Sequence, residues 1–302
     1  FISLLNMVYA SVTGKQCEAI KLIERRPMRA KLSNTQIAEF KSNGAILVKN
    51  AVDSDWVERL NKVVTEQLQR PSKWANDANP DSPQNRMFTD RYLWQENDEV
   101  KAFVYESGCA EIAAQAMQSS TARFYFDHLL VKEPGTDAVT PWHQDVPYWP
   151  FLGKQICSMW VALTKANVAE SSLEFIRGSH LANRYYMPEV FGTKGNPNVA
   201  WTKSAEGEPV PPIEANRSAY DIIGFDVEPG DAILFSAWIL HWAPGNVSLT
   251  KRRAAMSTRW LGDDVIWHPH EGADPTVTQE YVSVLPGEPL GDEPVLPCIW
   301  SA

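Results

Sequence analysis

From residue 122 onward the chain is a succession of short runs of aromatic and branched residues, most of them bounded by Pro, Gly or Asn. No other feature limits its fold as much. Residues 122–132 (ARFYFDHLLVK) form an extended pattern closed by Pro134-Gly135, and further strand candidates follow at 158–163, 172–176, 232–235 and 253–260. Many short strands punctuated by turn residues close into a sandwich or barrel rather than an open parallel sheet.

The preceding hundred residues have a different texture. Ser33-Asn34-Thr35-Gln36 reads as a capping box, Ile37 and Phe40 share a helical face, and Gly44 stops that helix before the strand-like Ala45-Ile46-Leu47-Val48. Asp53 caps a second helix whose apolar stripe is Trp56, Val57, Leu60, Val63 and Val64. Residues 71–97, rich in Pro, Asn and Asp, read as a long ordered loop, and helices resume near 98–105 and 110–117. The expected class is therefore α+β, mainly β, with a helical front and strands that close into a sandwich or barrel. Residues 1–31 are expected to be a peripheral extension and 32–302 a single domain. Residues 183–229, full of Pro, Gly and Asn, interrupt the strands and read as a candidate lid.

Composition excludes several classes. Of 302 residues, 28 are Lys or Arg and 37 Asp or Glu; the net charge of −9, with no dense basic cluster, disfavours nucleic-acid and anionic-membrane partners. No apolar run approaches the ~20 residues of a spanning helix. The four cysteines, Cys17, Cys109, Cys157 and Cys298, are widely spaced without a C-x-x-C pair, which argues against a zinc knuckle or disulfide framework and fits a reduced, cytoplasmic setting. The opening residues lack a basic stretch and do not read as a secretory signal.

The chemistry concentrates around Trp142-His143-Gln144-Asp145. On extended backbone, residues i and i+2 share a face, so His143 and Asp145 can present an imidazole and a carboxylate to one point. A second histidine, His241, follows the apolar run 233–240 and precedes a turn. Two histidines and one carboxylate make up the facial triad of non-haem Fe(II) oxygenases, which leaves coordination positions open for co-substrate and O2. Beyond His241, the cations of Lys251-Arg252-Arg253 open an apolar strand, and arginine's fork suits a carboxylate.

In this order the motifs resemble the phytanoyl-CoA dioxygenase family of Fe(II)/2-oxoglutarate oxygenases, from about Leu32 to about Gly262. The resemblance rests on Leu130–Gly135, Trp142–Asp145, Trp160–Leu163, Glu174–His180 and the stretch His241, Asn246, Arg252, Arg253. It implies a double-stranded β-helix and iron held by His143, Asp145 and His241. It also implies that Arg252, eleven residues past His241, binds 2-oxoglutarate, with Arg253 as the alternative and Lys132 as a second contact. Where relatives often carry a hydroxyl two positions past the distal histidine, this chain has Ala243. The implied reaction is attack of O2 on bound 2-oxoglutarate, with release of CO2 and succinate and hydroxylation or related oxidation of a small molecule. Halogenating relatives lack the carboxylate that Asp145 supplies.

Blander roles compete at several positions. His143 with Asp145 could be a satisfied hydrogen-bonded pair and His241 a core histidine; only the ordered set demotes those readings. His180 reads as structural, His268 and His270 as an exposed turn, and His128 could face either core or substrate. Trp142, Tyr148, Trp149 and Trp160 are candidate pocket walls that would suit an apolar or flat substrate. Arg86, Arg91 and Arg177 read as solvated charges, any of which could pair with an acidic substrate. Two further functions stay open: a metal-dependent cupin-type enzyme that does not use 2-oxoglutarate, and a non-catalytic jelly-roll ligand-binding protein.

Overall fold

The computed structural model describes residues 31–79, 81–82, 85–188 and 207–302. All but one of the residues of the expected N-terminal extension and the centre of the expected lid lie outside them. Helix α1 (Asn34–Asn43) starts at the anticipated capping box, with both Ser33 and Gln36 closing it. It ends at Gly44, whose φ of 82° is left-handed and whose missing Cβ leaves room for the His180 ring and Ile239. Helix α2 (Ser54–Gln69), capped by Asp53, buries Trp56, Leu60, Val63 and Val64, each contributing ~1.5–3 kcal/mol by transfer from water. Helices α3 (Asp98–Glu106) and α4 (Cys109–Met117) follow as expected.

Fourteen strands fall among the described residues. The large antiparallel sheet runs in the order β1 (Ala45–Val48), β10 (Ala232–Ser236), β7 (Ile156–Ala162), β12 (Arg253–Leu261), β4 (Thr121–Lys132), β3 (Met87–Arg91) and β2 (Asn76–Ala78), with β14 (Cys298–Ser301) beside the start of β4. A second sheet runs β5 (Thr140–His143), β11 (His241–Ala243), β8 (Glu174–Ile176) and β9 (Ile222–Gly224). A short pair joins β6 (Phe151–Leu152) to β13 (Ile266–Trp267). One face of the large sheet packs the helices in the main core, through Phe124, Leu129, Met159, Val161, Leu234, Met256 and Trp260. The other face meets the second sheet, where Trp160, Ile233, Phe235 and Ala255 touch Phe175 and Ala243. This is the double-stranded β-helix with outer helices.

Two expectations need correction. Residues 71–97 are not an irregular loop: β2 and β3 pair there, held by Arg86 Nε donating to both Asp77 carboxylate oxygens at 2.9 and 2.7 Å, with Phe88 fully buried. Residues 183–229 do not merely interrupt the strands, because β9 within them adds the edge of the second sheet.

Candidate metal centre and its cavity

Strand pairing builds the site. His143 ends β5 and His241 opens β11, and the two are direct partners across the second sheet, with ring centroids 4.0 Å apart. Asp145 lies just past β5 in helical backbone rather than on extended chain; its N–H donates to the Ala237 carbonyl at 3.0 Å, which turns its carboxylate back toward the histidines. Asp145 Oδ1 is 3.6 Å from His143 Nε2 and 3.7 Å from His241 Nε2.

Each imidazole is oriented from behind. His143 Nδ1 lies 2.8 Å from the Pro141 carbonyl and His241 Nδ1 3.1 Å from that of Ile239. A carbonyl only accepts, so Nδ1 carries the proton and Nε2 offers its lone pair forward. Asp145 Oδ2 accepts from Ser158 Oγ at 2.6 Å, leaving Oδ1 for the site. One ligand atom from each of the three residues lies within 4.8 Å of the others, and all three residues are buried. Two neutral imidazole nitrogens and a carboxylate oxygen converging in this way fit one divalent transition metal, with no thiolate to favour zinc or copper.

The charges around the site agree. Burial works to raise the Asp145 carboxyl, but the neighbouring charge, the Arg259 guanidinium first, outweighs it and holds it well below the usual carboxylate range. Burial, with the neighbouring His143, pushes His241 down to about 3, which keeps its lone pair available at neutral pH.

The triad opens into a cavity between the two sheets. Its floor is a set of cross-strand rows on the large sheet. Arg91 on β3, His128 on β4, Ser257 on β12 and Trp160 on β7 are successive register partners, and Arg259 pairs Ser158 one row further on. A bulge in β4, opposite the interval from Thr258 to Trp260, reverses its alternation. Phe124 therefore faces the helices while Phe126, His128 and Leu130 face the cavity.

The two candidate arginines separate. Arg252 is exposed and lies outside the cavity lining, its fork taken by Glu133 at 2.6 Å. Arg253 is 2% exposed and lines the cavity, with its guanidinium carbon 5.6 Å from the Trp160 ring centre and Nε without a hydrogen-bond partner. Of the two, it is Arg253, the alternative, that lines the cavity. Lys132 is fully buried, but its ammonium donates to the Ala243 and Pro244 carbonyls and tethers the β11–β12 connection.

Of the predicted walls, Tyr148, Trp149 and Trp160 line the cavity. Trp142 does not: one position from His143, it faces away, stacks on Trp242 at 6.0 Å and donates Nε1 to Glu214 at 2.7 Å. His180 has the structural role expected, with Nε2 3.1 Å from the Lys41 carbonyl. Arg86 and Arg177 pair with Asp77 and Asp221, whereas Arg91 is buried against the cavity. Sequence reasoning missed Ser158, Arg259, Phe126, Phe235 and Asp274.

The Phytanoyl-CoA dioxygenase (PhyH) profile matches residues 40–254, and the chain belongs to that family. A "Probable phytanoyl-CoA dioxygenase" of Caenorhabditis elegans is 27% identical over 142 residues, which cover 45% of this chain and 42% of that protein, so the match spans less than half of the curated relative. Among solved structures, the non-heme alpha ketoglutarate dependent carbocyclase SnoK from nogalamycin biosynthesis superposes with a TM-score of 0.65 at 18% identity, covering 89% of this chain and 96% of that one. The epimerase SnoN in complex with Fe3+, alpha ketoglutarate and nogalamycin RO gives 0.64 at 19%, with coverages of 87% and 96%. EctD from S. alaskensis with 2-oxoglutarate and 5-hydroxyectoine gives 0.59 at 18%, with coverages of 83% and 87%. At these identities the likeness is one of fold.

Proposed function

We propose that the protein is an Fe(II)- and 2-oxoglutarate-dependent oxygenase of a small molecule. The observation that carries this reading is the buried, convergent triad of His143, Asp145 and His241, with both Nε2 lone pairs directed into a cavity that also receives the buried Arg253, whose Nε has no hydrogen-bond partner. His143, Asp145 and His241 would hold the iron, and Arg253 the distal carboxylate of 2-oxoglutarate. The family membership and the ligands named in the SnoN and EctD structures support the same assignment.

With O2, iron and 2-oxoglutarate supply an oxidative decarboxylation to CO2 and succinate that is coupled to oxidation of a substrate C–H bond. The chain's residues set its geometry. The Pro141 and Ile239 carbonyls fix both imidazole tautomers, and Ser158 holds Asp145 to a single forward oxygen. Trp160 and Leu173 line the cavity on which Arg253 also opens, and their apolar surface strengthens its hold on a carboxylate by excluding water. Tyr148, Trp149 and Phe126 would hold the substrate's apolar body against the open side of the metal site. Hydroxylation is the reaction proposed. A cupin-type enzyme without a dicarboxylic co-substrate has no use for a buried Arg253, and a pure binding module has no use for the triad.

The test is succinate formation from 2-oxoglutarate in air with Fe(II) and ascorbate, comparing the protein with its His143→Ala, Asp145→Ala double variant. Iron-dependent succinate that disappears in the variant supports the reading. Failure to bind 2-oxoglutarate in an anaerobic Fe(II) titration would overturn it.

A further inference from the structure

The cavity holds more cationic character than a metal and its co-substrate use. Along β12, alternation sends Arg253, Ala255, Ser257 and Arg259 to one face, so two arginines on one strand enter the same cavity from its two ends. Their surroundings differ. Arg253 lies over Trp160, whereas the Arg259 guanidinium carbon is 5.1 Å from the Phe126 ring centre and 5.9 Å from that of Trp149.

Arg259 is 6% exposed, and its Nε and Nη1 are buried without a hydrogen-bond partner. Its nearest carboxylate oxygen, Asp145 Oδ2, is 3.9 Å away and already accepts from Ser158, so that contact attracts the charge without satisfying the fork. Two neutral polar atoms beside it are also unpartnered and buried: His128 Nε2 and Ser257 Oγ, partners across β4 and β12. A buried donor without an acceptor costs ~1–3 kcal/mol, more when charged, and such a cluster persists where a ligand completes it.

The charge balance points the same way. Three guanidinium groups, of Arg91, Arg253 and Arg259, line the cavity against two carboxylates, of Asp145 and Asp274. Asp274 is turned toward hydroxyl donors, accepting from Tyr92 at 2.5 Å and Tyr125 at 3.2 Å. A divalent iron and a dianionic co-substrate cancel each other and leave the formal charge of the lining at +1, with the buried Asp127 carboxyl also acting on Arg259.

We infer that Arg259, with His128 and Ser257 beside it, is the anion-binding subsite for the substrate, and that the substrate is a monocarboxylic acid with an apolar or flat body. The carboxylate takes the Arg259 fork, while Phe126, Tyr148 and Trp149 clasp the body. This inference rests on the iron and 2-oxoglutarate reading above.

The experiment uses the anaerobic Fe(II) protein with 2-oxoglutarate, whose metal-to-ligand charge-transfer absorption reports the co-substrate. Phenylacetate, cinnamate and cyclohexanecarboxylate are then added, each beside its primary amide. The expected result is that at least one acid shifts the band and its amide does not. In Arg259→Gln the band still forms with 2-oxoglutarate, but the acid binds roughly 200- to 5,000-fold more weakly, as for loss of one partner of a buried charge pair, and Arg259→Lys recovers part of it.

Four results would overturn the inference: acids and amides acting alike, no acid acting, unchanged acid affinity in Arg259→Gln, or loss of the 2-oxoglutarate band in that variant with metal binding intact. The last would move Arg259 to the co-substrate. If Arg259→Gln does not fold, the comparison of acid with amide in the unaltered protein still decides. Absence of any band in the unaltered protein removes the oxygenase reading and this inference with it, whereas a band that no acid shifts removes this inference alone.

Discussion

Replacing Arg253 by Gln should cost 2-oxoglutarate affinity far more than replacing Arg252 by Gln, although the two are adjacent. Arg253 is 2% exposed, and burial brings its guanidinium down to about 10, still charged at neutral pH. Among the described residues it has no acidic partner within ion-pair distance to offset that burial, so a carboxylate entering the cavity gains a charge-assisted bidentate contact in a dry site. Removing one partner of such a pair costs ~3–5 kcal/mol, or roughly 200- to 5,000-fold in Kd. Arg252, exposed and held by Glu133, contributes an ion pair worth about 0–1 kcal/mol to folding and nothing to the cavity, so its loss should change Kd less than ~2-fold. Arg253→Lys keeps the charge without the fork and should fall between. Anaerobic calorimetric titration of the Fe(II) protein with 2-oxoglutarate measures all three. Equal losses at both positions, or a larger loss at Arg252, would refute the assignment and the strand phase on which it rests.

Three further outcomes are expected. Ser158→Ala frees Asp145 Oδ2 from its 2.6 Å hydrogen bond and should weaken Fe(II) binding ~10- to 100-fold, the usual effect of losing a partner behind a ligand; unchanged metal affinity in a titration would refute this role. Leu60→Ala, at a fully buried position of α2, should lower unfolding stability by ~2–5 kcal/mol in urea with the metal site intact, and a loss below ~1 kcal/mol would contradict the packing described. Burial, only partly offset by the backbone N–H groups of Trp94 and Leu93, raises the Asp127 carboxyl from 3.8 to about 7. The native state therefore favours its protonated form, and that contribution, at most ~4 kcal/mol, is complete below the unfolded value and lost as pH rises through 7. Stability of the unaltered protein should fall relative to Asp127→Asn between about pH 4 and about pH 7, and parallel pH profiles would refute it.

The helices and most strands were legible because their signals are local. The Ser33 and Asp53 caps, the α2 stripe and the turns closing each strand sit within a few residues of what they determine. The hairpin of β2 and β3 was not, because its pairing depends on the Arg86–Asp77 clasp and on burial of Phe88 against distant helices, while its own composition is that of a loop. His128 could not be assigned a face because the β4 bulge is expressed only in pairing with β12. Ser158 escaped notice because its importance comes from a contact with Asp145 across the two sheets.

The arginines show where local information was present but outweighed. In Arg253-Ala254-Ala255-Met256-Ser257-Thr258-Arg259-Trp260, the residues at 254, 256 and 260 are apolar and meet the helices, whereas 253, 257 and 259 are polar and line the cavity. That alternation alone selects Arg253 over Arg252 and adds Arg259 to the same face. Spacing from His241 pointed to Arg252, but a count along the chain holds only if the intervening turn keeps its length. A strand's phase is set by which side chains must be buried, and it survives an added turn residue. The same phase that decides between neighbouring arginines also brings a second guanidinium, whose fork no hydrogen bond satisfies at Nε or Nη1, to the metal site, so the reading of the co-substrate pocket and the inference about the substrate depend on one register and would fail together if it slipped.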